Sequence, residues 1–249
     1  MSQLSHPFPS REGPVSVLDR VFAVLDVVRS CDGPISISGI AGEARIPKST
    51  AARLVASLVA QRYLTHEPGG VVLGMRLFEL GARATMPRRI ASAAAPVVYE
   101  LAQRTGERIG VWVQQGTDMI SLTAVPGRLP MLPTRAGMRS PALTTASGKA
   151  YLAFCDDTNV VDRVSAPLLD DEVERFYDEL TSVRADTVAV DQGDSYAGVA
   201  AVASPVIDRS GSVVGAISVA GPAGGLRTAH VTPLVRTASI SLTRRLTAA

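Results

Sequence analysis

The sequence has few cysteines, few histidines and no long run of apolar residues. Cys31 and Cys155 are its only cysteines in 249 residues, and its three histidines are scattered. This excludes a disulfide framework and predicts no metal site. No apolar run approaches the roughly 18 residues of a membrane span, and residues 1–14 lack the pattern of a secretory signal. We therefore expect a cytoplasmic protein that binds no membrane, with a disordered arm at residues 1–14.

Motifs for catalysis and for cofactor binding are missing too. The chain has no G-x-S-x-G nucleophile elbow and no H-E-x-x-H pair. Gly148-Lys149 resembles the end of a phosphate-binding loop, but Leu143 stands at the first glycine position and Ala150 replaces the Ser/Thr. We expect Lys149 to be a structural or ion-paired lysine. The sequence predicts no catalytic residue and no cofactor.

Charge is distributed unevenly along the chain. Residues 1–90 hold 11 Lys and Arg against 7 Asp and Glu, whereas residues 156–194 hold 12 acidic residues and 3 arginines. A basic first third beside a mildly acidic remainder favours a nucleic-acid-binding segment joined to a different kind of domain. The acidic pairs at 156–157 and 170–172 are expected at helix starts, where the helix dipole favours them.

The first 75 residues have the order helix, turn, helix, turn, helix, hairpin. Helices are predicted at 15–30, after the capping residue Ser36, and at 48–62, followed by a hairpin over 63–73. The third helix has apolar residues at the spacing of one buried stripe. This order is typical of a winged helix-turn-helix, whose third helix enters the major groove of double-stranded DNA. A three-helix module that contacts only proteins is the alternative.

The residues predicted to bind DNA are small, polar or basic. They lie on the outer side of the third helix, in the turn before it and on the hairpin, where they reach base edges and phosphates. They are Arg45, Lys48, Ser49, Thr50, Arg53, Ser57 and His66.

The remainder of the chain alternates helices and strands. A helix over 77–86, ended by Pro87, is expected to link two domains. Beyond it we predict helices at 90–105, 146–155, 171–184 and 231–246, strands at 108–115, 118–125, 199–207 and 212–220, and a loop over 126–141.

Several short runs, in order along residues 15–245, resemble IclR-type transcriptional regulators. They include Ile46-Pro47-Lys48-Ser49-Thr50 in the third helix and Ala146-Ser147-Gly148-Lys149-Ala150 farther on. The chain departs from this pattern at Val72, where the family has a phosphate-contacting arginine, and at Thr187-Val188, where it has Gly-Tyr. Asp194 stands at the position of a family glutamate.

The resemblance implies an α+β fold in two domains. These are a winged helix-turn-helix domain at 15–75 and a mixed α/β, GAF-like effector-binding and oligomerisation domain at 90–249, joined by a linker helix at 76–89. It implies a transcriptional regulator that forms a homodimer or a dimer of dimers, with a small-molecule effector, an organic acid or an aromatic metabolite. The positions that match the family's effector pocket are Ala146, Ser147, Gly148, Asp191, Val199, Ala201, Ser218 and Ala220, with Trp112 and Leu132 as further candidates.

The predicted effector pocket has a simple physical basis. Ser147 and Gly148 would offer unpaired N–H groups at a helix N-terminus to an anion, and the small strand residues would leave room for it. Asp191 would repel an anion unless it bonds a ligand hydroxyl, turns away to hold a backbone amide, or stays protonated. The remaining alternative for the whole chain is a metabolite-converting enzyme with an accessory DNA-binding domain.

Overall fold

The computed structural model describes residues 16–128 and 135–248, which divide into two units between Ala84 and Thr85. The arm predicted at 1–14 and the candidate residue Leu132 lie outside the described residues. The predicted α+β class with an N-terminal winged helix-turn-helix is confirmed. Among the described residues, no helix is long and apolar enough to cross a membrane.

Three helices form the body of the N-terminal unit: α1 (Val17–Ser30), α2 (Ile37–Glu43) and α3 (Lys48–Ala60). Ser36 caps α2 by accepting a hydrogen bond from the Gly39 N–H at 3.1 Å, as the sequence predicts. The helices share one apolar core, and the apolar residues that recur along one side of each helix are buried in it. This core contains Val24, Val28, Ile40, Ala51, Leu54, Val55, Leu58, Leu64 and Val71.

The turn between α2 and α3 ends one helix and starts the next within four residues. Arg45 has φ 53°, and the Ile46 N–H donates to the Ala41 carbonyl at 3.1 Å. This is the usual left-handed end of a helix, although glycine is the residue that adopts it without a steric cost. Pro47 then stands at the N-cap of α3. The turn fixes the direction in which α3 leaves α2.

The predicted hairpin is the wing, made of β1 (Leu64–Glu67) paired with β2 (Gly70–Leu73). It is attached to the helices by a bridge between Ile35 and Val71. A Cβ atom on Gly70 would lie 2.2 Å from the Ile35 carbonyl oxygen, so this close contact requires glycine.

The predicted single linker helix over 76–89 is wrong. The structure has two helices, α4 (Met75–Gly81) and α5 (Thr85–Thr105), with a break at residues 82–84. Pro87 does not end a helix. It lies in the first turn of α5, where the N–H that proline lacks has no partner within the helix anyway.

The C-terminal unit contains an antiparallel sheet, for which the structure gives the strand order β5-β4-β3-β8-β7-β6. The structure adds β5 inside the predicted 126–141 loop, and it adds β6 as well. Both are only three residues long, which is too short for a clear alternation of apolar and polar side chains. The strands are β3 (Arg108–Gln115), β4 (Asp118–Val125), β5 (Arg139–Pro141), β6 (Ala189–Asp191), β7 (Val199–Ile207) and β8 (Val213–Pro222).

Helices cover both faces of this sheet. Helices α5 and α9 (Thr228–Ala248) pack on one face of the sheet and share a core with the strand residues that point to that face. Helices α6 (Ala146–Leu152), α7 (Thr158–Ser165) and α8 (Asp170–Asp186) pack on the other face. They share a second core with the intervening strand residues, which point the opposite way. The acidic residues stand at helix starts as predicted, since Asp157 is the N-cap of α7 and residues 170–172 are the first turn of α8.

Candidate nucleic-acid interface and effector site

Helix α3 has one buried side and one polar side. Ala51, Leu54, Val55 and Leu58 are buried in the core. Opposite them, Ser49, Arg53 and Ser57 are exposed and four residues apart, so they form one stripe. Lys48 is exposed at the start of the helix, and Thr50 is half-buried. The sequence of α3 contains no acidic residue. A surface of this kind attracts a polyanion and presents hydrogen-bonding side chains to it.

Arg45 and His66 lie outside α3, and both are exposed. Arg45 belongs to the turn before α3. His66 is on β1 of the wing, opposite Val71 of β2. At the family's arginine position the second wing strand has Val72, which pairs with Thr65.

The effector residues predicted on strands lie on one face of the C-terminal sheet. It is the face covered by α6, α7 and α8. Ala220 of β8 stands directly opposite Ala201 of β7, which stands opposite Asp191 of β6. On the other side of Ala220 stands Arg108 of β3. We call Arg108, Ala220, Ala201 and Asp191 the cross-strand row.

Trp112 and Ser218, both predicted in the pocket, are bonded to each other. The Trp112 indole N–H donates to Ser218 Oγ at 2.8 Å, and both residues are buried. The indole lies over Gly110, where a Cβ atom would come within 2.5 Å of its nitrogen. A glycine at this position therefore lets the indole lie flat on the sheet beside the cross-strand row.

Arg108 is a buried cation that the sequence reasoning missed. The residue is 6% exposed, and its guanidinium carbon lies 5.5 Å from the centroid of the Trp112 ring, within the range of a cation–π contact. Burial lowers the pKa of Arg108, and the phenol of Tyr196 partly offsets this. Arginine nevertheless stays charged in proteins. The signal in the sequence was the four-residue spacing from Trp112, which places two side chains of a strand on one face.

Asp191 holds the loop that follows it. Its Oδ1 accepts hydrogen bonds from the N–H groups of Gly193 at 2.9 Å and Asp194 at 2.8 Å, and its Oδ2 accepts one from the Ser195 hydroxyl. Of the roles considered from the sequence, the structure shows the one in which Asp191 holds backbone amides. The loop it orders is residues 192–198, which we call the β6–β7 loop.

The predicted N–H donors at the start of α6 are partly used already. Ala146, Ser147 and Gly148 are buried there as a group. The Gly148 N–H donates to Oγ1 of the N-cap Thr145 at 3.2 Å, so the prediction that it is unpaired is wrong. A Cβ atom on Gly148 would lie 2.0 Å from the carbonyl oxygen of Ala142. Gly148 therefore allows two backbone segments to touch and does not open a space for a ligand.

Lys149 is the ion-paired lysine that the sequence predicts. Its buried ammonium group lies 2.7 Å from Glu179 of α8 and 3.7 Å from Asp194 of the β6–β7 loop. Tyr196 in the same loop shares a hydrogen bond with Ser140 of β5, at 3.2 Å between the two hydroxyl oxygens. Ion pairs and hydrogen bonds thus hold the loop to α6 and to the far edge of the sheet.

The small strand residues predicted to leave open room are mostly covered. Val199 and Ala220 are buried and Ala201 is half-buried. Two clefts lie elsewhere on this unit, one of about 220 Å³ bounded by α6, α7 and α8 and one of about 450 Å³ along α5 and α9. Neither is lined by a predicted effector residue. In the described parts of the chain, no group of three or more His, Cys, Asp or Glu residues could hold a metal ion.

Family models match both units of the chain. The model of the IclR helix-turn-helix domain matches residues 17–68, and the model of the bacterial transcriptional regulator IclR C-terminal domain matches residues 82–243. The chain belongs to the IclR family. Its members regulate transcription by binding DNA, and their effector domains bind small molecules.

Individual IclR relatives are similar over most of their length. The transcriptional repressor AllR of Salmonella paratyphi A is 26% identical over 88% of this chain and 84% of its own. The glycerol operon regulatory protein of Streptomyces griseus is 30% identical over 84% of this chain and 85% of its own. An IclR homolog from Microbacterium hydrocarbonoxydans, solved in complex with 4-hydroxybenzoate, has a TM-score of 0.83 and 25% identity over 94% of this chain and 100% of its own.

The contact between α6 and the segment before it leads to a stability prediction. We expect Gly148→Ala to lower the free energy of unfolding of the C-terminal unit by about 1–3 kcal/mol, because the added methyl group must push the Ala142 backbone away. Urea unfolding followed by fluorescence reports on this unit, since Trp112 is the only tryptophan.

Gly224→Ala is the matched control. A Cβ atom at Gly224, in the same unit, would have no heavy atom within 4 Å, so its unfolding midpoint should stay near that of the wild type. Equal midpoints for the two variants would show that Gly148 is not a packing residue.

Proposed function

We propose that this IclR-family regulator reads an operator with α3 and the wing, and that a small organic acid or aromatic metabolite bound in its C-terminal unit changes its operator affinity. The observation that carries the DNA-binding part is the exposed stripe of Ser49, Arg53 and Ser57 on a helix that buries its other side. Such a regulator acts in the cytoplasm, where the DNA is.

The side chains of the interface divide into two roles. Lys48, Ser49, Thr50, Arg53 and Ser57 lie on α3 and are proposed to reach base edges and nearby phosphates in the major groove. Arg45 and His66 lie before α3 and on the wing, and we assign them to the phosphate backbone, which sets the position of the protein on the duplex.

Arg53 is the sharpest test of this assignment. We expect Arg53→Ala to weaken specific operator binding by about 1–3 kcal/mol, because an arginine in the middle of α3 bonds a guanine edge or a phosphate. The operator is selected from random DNA with the wild-type protein, and affinity is measured by gel shift at a fixed salt concentration.

Arg29→Ala removes the same charge from the same unit and serves as the control. Arg29 is at the end of α1, paired with Asp26 at 3.1 Å, and its loss should change affinity far less than loss of Arg53. If Arg53→Ala and Arg29→Ala bind the operator equally well, α3 does not read it through Arg53.

Assembly is proposed to pair two DNA-binding units. One recognition helix reads too few bases for specificity, so two units would bind half-sites roughly 34 Å apart or a multiple of that. Helices α1 and α4 both expose large apolar side chains: Leu18 is 66%, Phe22 58%, Met75 65% and Phe78 72% exposed. We propose that a second copy of the chain covers these faces in a homodimer, or in each half of a dimer of dimers.

We expect Phe78→Gln to shift the protein toward monomers and to weaken operator binding. A polar amide at the centre of an apolar contact loses burial energy and is left without a partner. Sedimentation velocity at micromolar concentration measures the mass distribution.

Leu169→Gln is the control, because Leu169 is equally exposed, at 70%, but stands at the start of α8 in the other unit. A wild-type protein that sediments as a monomer, with and without DNA, would exclude the proposed assembly.

The C-terminal unit is proposed to bind its ligand without converting it, as expected of a regulator rather than an enzyme. A ligand alters DNA affinity only if it prefers one arrangement of the DNA-binding units over another. Incubation with each bound metabolite, followed by chromatography, should return that metabolite unchanged. Turnover would favour the enzyme with an accessory DNA-binding domain.

A further inference from the structure

We infer that the C-terminal unit makes a second contact with DNA, through a group of arginines that binds the phosphate backbone of the duplex beside the operator. The group, which we call the arginine cluster, consists of Arg88, Arg89, Arg209, Arg244 and Arg245, and all five are exposed. The proposed function assigns operator reading to α3 and the wing. The inference goes beyond it and rests on it only in that the chain binds DNA.

Three elements bring the arginine cluster to one end of the C-terminal unit. They are the start of α5, the turn between β7 and β8, and the end of α9. The Arg89 guanidinium donates to the Leu246 carbonyl at 3.3 Å, which joins the start of α5 to the end of α9. The Ile207 N–H donates to Thr243 Oγ1 at 3.2 Å, which joins the end of β7 to α9. The five arginines therefore form one surface.

This end of the unit is positive although the unit as a whole is neutral. Residues 85–249 contain 16 Lys and Arg and 16 Asp and Glu. Twelve of those acidic residues lie between positions 156 and 194, in and around α7 and α8, and the sequence of α9 contains none. Such a separation of charge creates a local positive field that attracts a polyanion.

Four members of the arginine cluster, all except Arg89, form no ion pair with a residue that the structure describes. The acidic side chains of the neighbouring segments are engaged already. Glu100 of α5 lies 3.8 Å from Arg104. Asp208 accepts hydrogen bonds from the hydroxyl and the N–H of Ser210, at 2.5 and 2.8 Å. These bonds lower the pKa of Asp208, and the charge of Arg89 adds to the effect.

The position of Arg88 is unfavourable for folding. It lies in the first turn of α5, which contains no acidic residue, and the helix dipole disfavours a cation there. Arg245, in the last turn of α9, has the favourable position by the same rule. A phosphate beside Arg88 would be attracted by its guanidinium and by the N-terminus of a 21-residue helix together. Binding of an anion therefore explains Arg88 better than helix stability does.

DNA is the polyanion that this chain brings to the arginine cluster. Arg88 follows Ala84, the last residue of the N-terminal unit, by four residues. The cluster is thus tethered to the domain that binds the operator, which raises the concentration of duplex around it. Contacts to phosphates position a protein on DNA and do not read sequence. Flanking DNA of any sequence would therefore satisfy the cluster.

The test compares a short and a long duplex. The short duplex is the operator selected with the wild type, trimmed to the base pairs that specific binding requires. The long duplex adds about 15 base pairs of unselected sequence on each side, about one and a half helical turns. Affinities are measured by gel shift over a range of salt concentrations. We expect the full-length wild type to bind the long duplex at least about fivefold more tightly at low salt, because extra phosphate contacts release more counterions.

Variants locate this advantage in the arginine cluster. Arg88→Gln/Arg209→Gln should bind the short duplex within about twofold of the wild type and lose most of the advantage of the long one. On the long duplex, its slope of log affinity against log salt concentration should be shallower by about 2 for each copy in contact, since each phosphate contributes about 0.9. Arg88→Lys/Arg209→Lys keeps both charges and should retain the advantage.

Arg163→Gln/Arg175→Gln is the matched control. It removes two exposed arginines from α7 and α8 of the same unit, so the net charge changes equally, and it should keep the advantage of the wild type. Equal affinities of the two glutamine double variants for the long duplex would overturn the inference. A wild type that gains nothing from the flanks would overturn it too, and this is the result expected if the cluster faces an acidic protein instead.

The short duplex keeps this inference distinct from the proposed function. If the wild type shows no specific binding to any short duplex, the proposed operator reading fails, whereas an affinity for unselected DNA that falls in Arg88→Gln/Arg209→Gln and not in the control supports the inference. If the wild type binds the short duplex specifically and gains nothing from the flanks, the operator proposal stands and the inference fails.

Discussion

Close packing of α6 on the C-terminal sheet is the constraint on which the face covered by α6, α7 and α8 depends. Ala146 and Ala150 of α6 share a core with Ala203 and Ala216 of the sheet, and the backbone of Gly148 touches that of Ala142. Helix and sheet can come this near only because their facing residues are small. The helix therefore fills one part of the face completely.

This packing also decides what each charged group on the face can do. Lys149 on α6 reaches Glu179 and Asp194, so its charge is used to join α6, α8 and the β6–β7 loop. Asp191 is used to order the same loop through backbone N–H groups. The Arg108 guanidinium carbon lies 5.5 Å from the centroid of the Trp112 ring, and the Tyr196 phenol acts on its pKa. Each end of the cross-strand row therefore has one buried charged residue, Arg108 on β3 and Asp191 on β6.

The sequence predicts the elements of this protein far better than the roles of its site residues. The buried stripe of α3, the wing and strands β3, β4 and β7 follow from the spacing of apolar residues. Apolar residues recur about every 3.6 residues in a helix and every 2 in a strand, because one side of each element is buried. Pro87 alone does not predict a helix end, because proline suits both the end of one helix and the first turn of the next. The pairing of Trp112 with Ser218 joins residues 106 positions apart, and no local pattern encodes such a contact. The resemblance implies Asp191 as a pocket position and does not include Arg108.

Coupling between effector and operator has to pass through packed elements. The chain itself offers a connection through helix α5. Arg108 follows the end of α5 by three residues, and the Glu107 N–H donates to Thr105 Oγ1 at 3.2 Å. Helix α5 has 21 residues, about 31 Å at 1.5 Å per residue, and it begins at the break that separates the two units. A shift of β3 on ligand binding would therefore act on one end of α5, whose other end follows residues 82–84, with Pro96 inside the helix between them.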